Sequence, residues 1–201
     1  MGENKRYKLD LLYDHYKDSF SLQREYLKQR DRLFLYSLAI VTGILIILIV
    51  PKDSYEVINE VAAKRIGSKI YFTPEFLDSI LWFLLLIYVL KYFQATITVE
   101  RQYMYIHELE ARISDLLEDK FDREGNNYLT KFNSFSDVAW FFYTVLFPMF
   151  IIIIPGAKIL NEIIRMCTLK TFHLSTLFNV FLFFFTSFLV VKYIVTLHFK
   201  K

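Results

Sequence analysis

Four basic residues stand together just before the first long apolar stretch of this chain. Arginine and lysine can bind an anionic group there, and the tyrosines at positions 13, 16 and 26 could stack on nucleotide bases. The alternative is that these charges flank a membrane span on its cytoplasmic side and contact anionic headgroups. In an oligomer, the copies would concentrate positive potential around a shared axis, with two more arginines from a later charged stretch. The candidate anion-binding residues are Arg24, Lys28, Arg30, Arg32, Arg101 and Arg112.

Uncharged polar residues interrupt the apolar stretches at a few positions. Taken singly, each is typical of helix–helix packing through small, hydroxyl or amide groups. Together they could line a pore that phenylalanine layers close by dewetting. The candidate lining residues are Thr42, Asn179, Thr186 and Ser187, and the candidate gate residues are Phe181, Phe184 and Phe188.

No motif in the sequence predicts catalysis. There is no glycine-rich phosphate loop, no nucleophile elbow and no zinc-protease pair of histidines. The four histidines are scattered, and Cys167 is the single cysteine, so neither a metal cluster nor a disulfide framework is indicated. We therefore expect a protein that is not an enzyme and needs no cofactor.

The composition is that of a membrane protein. Hydrophobic residues make up 55% of the chain and aromatic residues 18%, and the apolar residues lie in long uncharged runs. A hydrocarbon core of about 30 Å takes about 20 helical residues to cross. Four segments reach or approach that length, so the sequence predicts an all-α integral membrane protein with transmembrane helices at 33–50, 76–93, 135–154 and 174–197.

Prolines punctuate the predicted spans. Pro51 should end the first span and the Pro155–Gly156 pair the third, while Pro148 predicts a kink inside the third. Charged residues are nearly absent from the spans so drawn, which argues against a proton-coupled transporter.

Lysine and arginine are distributed unequally between the connecting segments. Seventeen of the 24 lie in the two termini and the central charged segment, and seven lie in the other two loops. By the positive-inside rule, both termini and the central segment are expected in the cytoplasm of a cell with an inner (plasma) membrane.

Two of the spans are expected to continue as cytoplasmic helices. No helix breaker lies between Pro74 and Gly125, and an unbroken helix of that length would be about 75 Å long. The N-terminal tail carries apolar residues at alternating spacings of four and three, and its net positive charge complements the net negative charge of residues 91–131. The two segments should pair as a helical or coiled-coil bundle. The β-branched run at 96–99 is open to two interpretations, a helix supported by its neighbours or a hinge.

These elements divide the chain into four parts. They are a cytoplasmic amphipathic helix at 1–32, the first two spans at 33–94 with an outer loop at 51–75, a cytoplasmic extension and return turn at 95–134, and the last two spans at 135–201 with an outer loop at 155–173.

The tail at 7–32 running into the first span, and the segment VERQYMYIHELEARI after the second, resemble small transmembrane effectors of bacterial anti-phage systems. SLATT-type effectors share this plan over roughly the first 120 residues but usually have two spans. The Hailong-type effector, thought to be held inactive by a DNA oligomer, is the other resemblance. Either implies a homo-oligomeric pore in the lipid bilayer, controlled by a nucleotide or DNA oligomer or by a regulator from a neighbouring gene.

Two classes of function follow from these features. The first is a ligand-gated, pore-forming membrane effector. The second is a non-conducting membrane anchor or scaffold whose cytoplasmic helices recruit a soluble partner. A measurement of membrane potential on expression distinguishes them.

Overall fold

The chain is helical in nearly all of the part that the structure describes. A computed structural model describes residues 3–66, 71–121, 138, 141–169 and 174–199. Its helices are α1 (Glu3–Ile49), α2 (Pro51–Ile66), α3 (Pro74–Leu117), a π-helical turn (Phe142–Leu146), α4 (Phe147–Leu169) and α5 (Leu174–Phe199). Four of them, α1, α3, α4 and α5, are long and apolar enough to cross a membrane. The prediction of an all-α, multi-pass protein with four candidate spans is confirmed on helix length and composition.

The chain divides into two compact units, and α1 and α3 contribute to both. One unit, here called the helical pair, comprises Met1–Arg32 and Tyr92–Phe141. The other, here called the apolar unit, comprises Leu33–Lys91 and Phe142–Lys201.

Among the described residues, an apolar cluster, a hydrogen bond and an ion pair join the two segments of the helical pair. Tyr16 packs against Ile106 and its neighbours on α3, and the Tyr16 hydroxyl donates a hydrogen bond of 3.0 Å to Glu110. Lys5 and Glu118 form an ion pair of 2.6 Å. Lys5 contacts Glu118, whereas Tyr16, which is farther along α1, contacts Glu110, which is nearer the start of α3. The two segments are therefore antiparallel. The cluster consists of Tyr16, Ile106, Leu109 and Ile113, covered by Leu9, Leu12, Phe20 and Phe121.

Helix α3 ends at Leu117. The sequence predicts a later end, because residues 124–127 (EGNN) are a turn signal. Glu118 adopts a left-handed backbone conformation with φ of 59°, which stops the helix. The Ser114 hydroxyl then accepts a hydrogen bond of 3.0 Å from the Phe121 N–H, and the Phe121 ring packs 5.3 Å from that of Tyr16. The predicted return turn beyond residue 121 lies outside the described residues.

The β-branched run at 96–99 is helical and lies inside α3. Thr96 and Thr98 donate their hydroxyl protons to the carbonyls of Tyr92 and Gln94, at 3.0 and 2.9 Å. Such bonds satisfy the hydroxyls within the helix. The sequence left two interpretations open, a helix supported by its neighbours or a hinge, and in the structure this run is helical.

The apolar unit encloses a core contributed by α1, α3, α4 and α5. Trp82, Leu85 and Val89 line one face of α3 and are fully buried. Phe34 on α1 packs against Phe147 on α4, with ring centroids 4.6 Å apart. The other buried apolar side chains of this core include Val41, Ile44, Ile47, Ile151, Leu182, Val190 and Tyr193.

Helix α4 contradicts the predicted end of the third span. It continues through Pro155 and Gly156 to Leu169, so the predicted outer loop at 155–173 is largely helix. A proline inside a membrane helix is tolerated when neighbouring helices and local adjustments satisfy the freed backbone groups. Pro148, where the sequence predicts a kink, is the second residue after the π-helical turn, and its missing N–H leaves the carbonyl four residues earlier, inside that turn, without its ordinary helical donor. Residues 135–137, at the start of the predicted third span, lie outside the described residues.

Candidate functional site

Three charged side chains meet inside the apolar unit and form the candidate site, here called the ionic cluster (Asp78, Lys158 and Glu162). Lys158 Nζ lies 2.9 Å from Asp78 Oδ2 and 3.5 Å from Glu162 Oε1. The Lys158 and Asp78 side chains are only 7% and 9% exposed, and that of Glu162 is 15% exposed. Lys158 and Glu162 are one turn apart on α4, and Asp78 is in the second turn of α3. A single lysine ammonium therefore lies beside two carboxylates, and all three side chains are largely buried.

Helix α2 contributes a hydrogen-bond donor to the Asp78 carboxylate. The Tyr55 hydroxyl donates to the carboxylate at 2.9 Å from each oxygen. Burial, followed by the nearby negative charge of Asp78, raises the pKa of the Tyr55 phenol far above its ordinary value. The proton therefore stays on the phenol oxygen, where it is available as a hydrogen-bond donor.

Asn59 holds α2 against the segment that leads into α3. Its amide Nδ2 donates to the carbonyls of Tyr55 and Phe72, at 3.0 and 3.1 Å, and its Oδ1 accepts from the Phe72 N–H at 2.7 Å. Because Phe72 is two residues before Pro74, this side chain fixes where α3 begins relative to α2. The position of Asp78 beside Tyr55 therefore depends on the contacts of Asn59.

Glu162 is less completely satisfied than Asp78. Asn179 on α5 donates one long hydrogen bond of 3.3 Å to Glu162 Oε2, and accepts a bond of 3.0 Å from Ser79. Glu162 Oε1 is buried and receives no hydrogen bond from any described residue; the Lys158 ammonium at 3.5 Å is its charged neighbour. One carboxylate of the cluster therefore retains acceptor capacity.

A cavity of about 510 Å³ opens beside the cluster. Asp78, Glu162 and Asn179 form its deeper wall, since they are largely buried. Lys52, Glu75 and Arg165 also line it and are exposed. The site is thus a polar cavity with ionised groups at two depths.

An aromatic contact adjoins the ionic cluster. Trp82 lies one turn beyond Asp78 on α3, and its ring centroid is 6.0 Å from that of Phe183 on α5. Gly156 on α4 leaves room for this pair, since a Cβ there would lie 3.4 Å from Phe183 Cζ. An apolar, close-packed contact therefore lies one helical turn beyond Asp78 on α3.

The predicted anion-binding residues all lie in the helical pair, and they divide into two groups. Arg30 pairs with Asp31 at 2.9 Å and Arg112 with Glu108 at 2.6 Å, each on its own helix. The other four are exposed, and three of them follow one another at intervals of four residues along one face of α1. This basic stripe is Arg24, Lys28 and Arg32, and the fourth exposed residue is Arg101 on α3.

The predicted pore and gate residues lie on opposite faces of α5. Asn179 and Thr186 are each 2% exposed and face the interior, whereas Phe181, Phe184 and Phe188 are each more than half exposed. Thr186 donates to the Leu182 carbonyl, as Thr42 does to that of Leu38 on α1, where Thr42 is exposed. Ser187 is partly buried. Within one chain, Asn179 and Thr186 therefore lie on the buried side of α5 and the three phenylalanines on its exposed side.

The sequence did not reveal the ionic cluster. The third span was predicted to end at residue 154, whereas α4 continues to Leu169 and carries Lys158 and Glu162 beyond Pro155. Two signals were available: Asp78 falls inside the predicted second span, and Lys158 and Glu162 stand at the i, i+4 spacing of a helical ion pair. Among the described residues, no group of three or more His, Cys, Asp or Glu side chains is placed to hold a metal ion.

Comparisons with protein-family models, with curated proteins and with solved structures find no match for this chain.

Proposed function

We propose that this chain is a subunit of a homo-oligomeric membrane effector that opens an ion-conducting pore. The observation that carries the proposal is the ionic cluster of Asp78, Lys158 and Glu162 within helices apolar enough to span a membrane. Burying each ion costs several kcal/mol, roughly, even after relaxation. Ionisable residues retained at such positions in membrane proteins commonly mark ion or substrate pathways.

The neighbourhood of the cluster supports a path that is closed at rest. Trp82, one helical turn beyond Asp78 on α3, packs against Phe183, and the core continues with Leu85 and Val89. Hydrophobic constrictions of this kind stop ions by excluding water. Conduction then needs a rearrangement of the helices, or a path between subunits along the exposed phenylalanine face of α5.

The basic stripe of Arg24, Lys28 and Arg32 supports control by an anionic ligand. These cations are exposed and follow one face of α1, which suits a nucleotide or a DNA oligomer. Helix α1 continues without a break from this stripe into its apolar half, ending at Ile49. Differential binding of the ligand to closed and open states would shift the population of the pore.

The cellular role that we propose is anti-phage defence at the inner (plasma) membrane, with both termini cytoplasmic. The resemblance to anti-phage effectors and the distribution of lysine and arginine support it. A regulator from a neighbouring gene is the expected partner if the ligand is not free in the cell.

A membrane scaffold is the second candidate, favoured by the exposed apolar side chains of the helical pair. Tyr7 and Leu11 are 69% and 55% exposed, and Met104 is 66% exposed. A soluble partner could bury these side chains without any conduction through the spans. The two candidates differ in whether membrane potential changes.

The experiment is a measurement of ion flux. Purified full-length chain is reconstituted in liposomes, and dye-reported potassium flux is recorded with and without a single-stranded DNA oligomer; potential is also followed in expressing cells. A pore predicts flux in at least one liposome condition, abolished by Asp78→Asn with Lys158→Gln and retained by the exposed control Glu60→Gln. No flux in either condition and an unchanged cellular potential, with membrane insertion verified, would contradict the pore and favour the scaffold.

A further inference from the structure

The deep wall and the mouth of the cavity differ in the sign of their net charge. Two carboxylates, Asp78 and Glu162, line the deep wall, and the Lys158 ammonium pairs with both, so one negative charge is in excess there. Lys52, Glu75 and Arg165 near the mouth are exposed and leave one positive charge in excess. The six groups together are formally neutral. A ligand that matches this pattern is neutral overall and carries a cation at one end and an anion at the other.

The deep end offers a defined position for the cation. Glu162 lines the cavity, and among the described residues its Oε2 accepts only the 3.3 Å bond from Asn179, which leaves Oε2 with acceptor capacity for a ligand. Its Oε1 is enclosed beside the Lys158 ammonium at 3.5 Å. Asp78, by contrast, accepts from both Tyr55 and Lys158 at 2.9 Å. A primary ammonium has three donors and would complete the bonding of Glu162, whereas a quaternary ammonium has none to offer.

The mouth of the cavity suits the anion. The Arg165 guanidinium can bind a phosphate or a carboxylate through two parallel hydrogen bonds, and Lys52 adds a second positive charge. Both side chains are exposed, so a ligand can reach them without displacing the core. The volume of about 510 Å³ lies in the range of about 300–1,000 Å³ that is usual for small-molecule sites.

The geometry points to a binding site for a small zwitterion, whose primary ammonium contacts Glu162 and whose phosphate or carboxylate contacts Arg165 and Lys52. Two sources have this chemistry: the phosphoethanolamine headgroup of a membrane lipid, and a free amino acid. The inference is independent of conduction, since a scaffold could hold the same ligand.

The test measures thermal unfolding of the full-length chain in detergent with soluble probes. We expect O-phosphoethanolamine or glycine to raise the unfolding midpoint, while ethanolamine, phosphate and phosphocholine at the same concentration leave it unchanged. Glu162→Gln and Arg165→Gln should each weaken binding about tenfold or more, as expected for loss of a charged hydrogen bond. The exposed Glu56→Gln and Lys64→Gln variants, both on α2 and outside the cavity lining, serve as controls that remove the same charges.

A second arm distinguishes the two sources. The chain is placed in nanodiscs of phosphatidylcholine with or without phosphatidylethanolamine, and glycine is titrated into the phosphatidylcholine discs. Stabilisation by phosphatidylethanolamine alone assigns the headgroup, and stabilisation by glycine alone assigns a free amino acid; either supports the site. Equal shifts from ethanolamine and O-phosphoethanolamine would overturn it, as would probe binding that neither variant weakens. Because Arg165 is exposed, its variant keeps the test valid if Glu162→Gln does not fold.

Discussion

Lys158 Nζ and Asp78 Oδ2 lie 2.9 Å apart although 80 residues separate them in the chain, and both side chains are more than nine-tenths buried. A buried pair of this kind contributes little net stability, but removing one partner leaves an uncompensated charge. We expect Lys158→Met to lower the free energy of unfolding by about 3–5 kcal/mol, measured by denaturation in detergent.

The control for this prediction is the double variant Asp78→Leu with Lys158→Met. It removes both charges and should recover a large part of the loss, because no ion of the pair is left unpaired. A double variant that is as unstable as the sum of the two single variants would contradict a direct coupling between these residues.

The buried hydrogen bond from Tyr16 to Glu110 should stabilise the helical pair. Tyr16→Phe removes the 3.0 Å bond to a carboxylate that is 3% exposed, at a cost of about 1–3 kcal/mol. Hydrogen exchange of the amides around residues 106–113 reports the opening of this contact. The matched control is Tyr7→Phe at a 69% exposed position, for which no change is expected. Equal protection in both variants would show that the bond does not hold the pair.

Tyr55 should make stability depend on pH only in the alkaline range. Its pKa is raised in the folded chain, by burial first and by Asp78 second, so the folded state keeps a proton that the unfolded state loses above about pH 10. The stabilisation is complete below that pH and declines as the pH rises. Unfolding midpoints from about pH 9 to about pH 11 should therefore fall more steeply for the wild type than for Tyr55→Phe.

Ultraviolet titration provides an independent check of Tyr55. Wild type and Tyr55→Phe should show the same tyrosinate absorbance up to about pH 11, because the Tyr55 phenol stays protonated there. Loss of one titrating group with a midpoint near pH 10 in the variant would contradict the burial of this hydroxyl.

The basic stripe should bind polyanions through charge. Arg24→Gln with Lys28→Gln should weaken binding of a labelled single-stranded DNA oligomer and reduce the slope of log K against log salt by about 1 per residue removed. The matched control, Arg6→Gln with Lys8→Gln, removes one arginine and one lysine at exposed positions near the start of α1. If both pairs of substitutions weaken binding equally, general charge rather than the stripe accounts for it.

Gly156 should tolerate alanine but not a large side chain. A Cβ there would lie 3.4 Å from Phe183 Cζ, an ordinary contact, whereas leucine would overpack the layer with Trp82 at a cost of about 1–3 kcal/mol. Gly43 is the control, since nothing lies within 4 Å of the corresponding Cβ. We expect Gly156→Leu to lower the unfolding midpoint and Gly43→Leu to leave it nearly unchanged. The reverse order would contradict the packing of α4 against α5.

Local sequence pattern was enough to predict α1, α3 and α5, but it did not predict α2, which occupies most of the expected outer loop at 51–75, or the length of α4. Long uncharged runs determine where a helix can cross a membrane, because the hydrocarbon core cannot solvate charge or free backbone groups. The absence of proline and glycine between Pro74 and Gly125 likewise predicted a helix that continues beyond the span, although α3 ends at Leu117. That early end depends on Ser114 and Phe121 folding back onto Tyr16, a contact between distant residues that no local pattern reveals.

The ionic cluster could not be predicted in the same way, since its members belong to three separate stretches of sequence. Pro155 predicts a helix end because proline lacks an N–H, yet α4 continues through it to Leu169. Because α4 continues, Lys158 and Glu162 lie inside a candidate span, and Lys158 contacts Asp78. The sequence by itself determined the all-α class and the four candidate spans, which depend on composition and local period. The tertiary structure alone decided which charges are buried together, because the balance of desolvation against pairing depends on distances between helices.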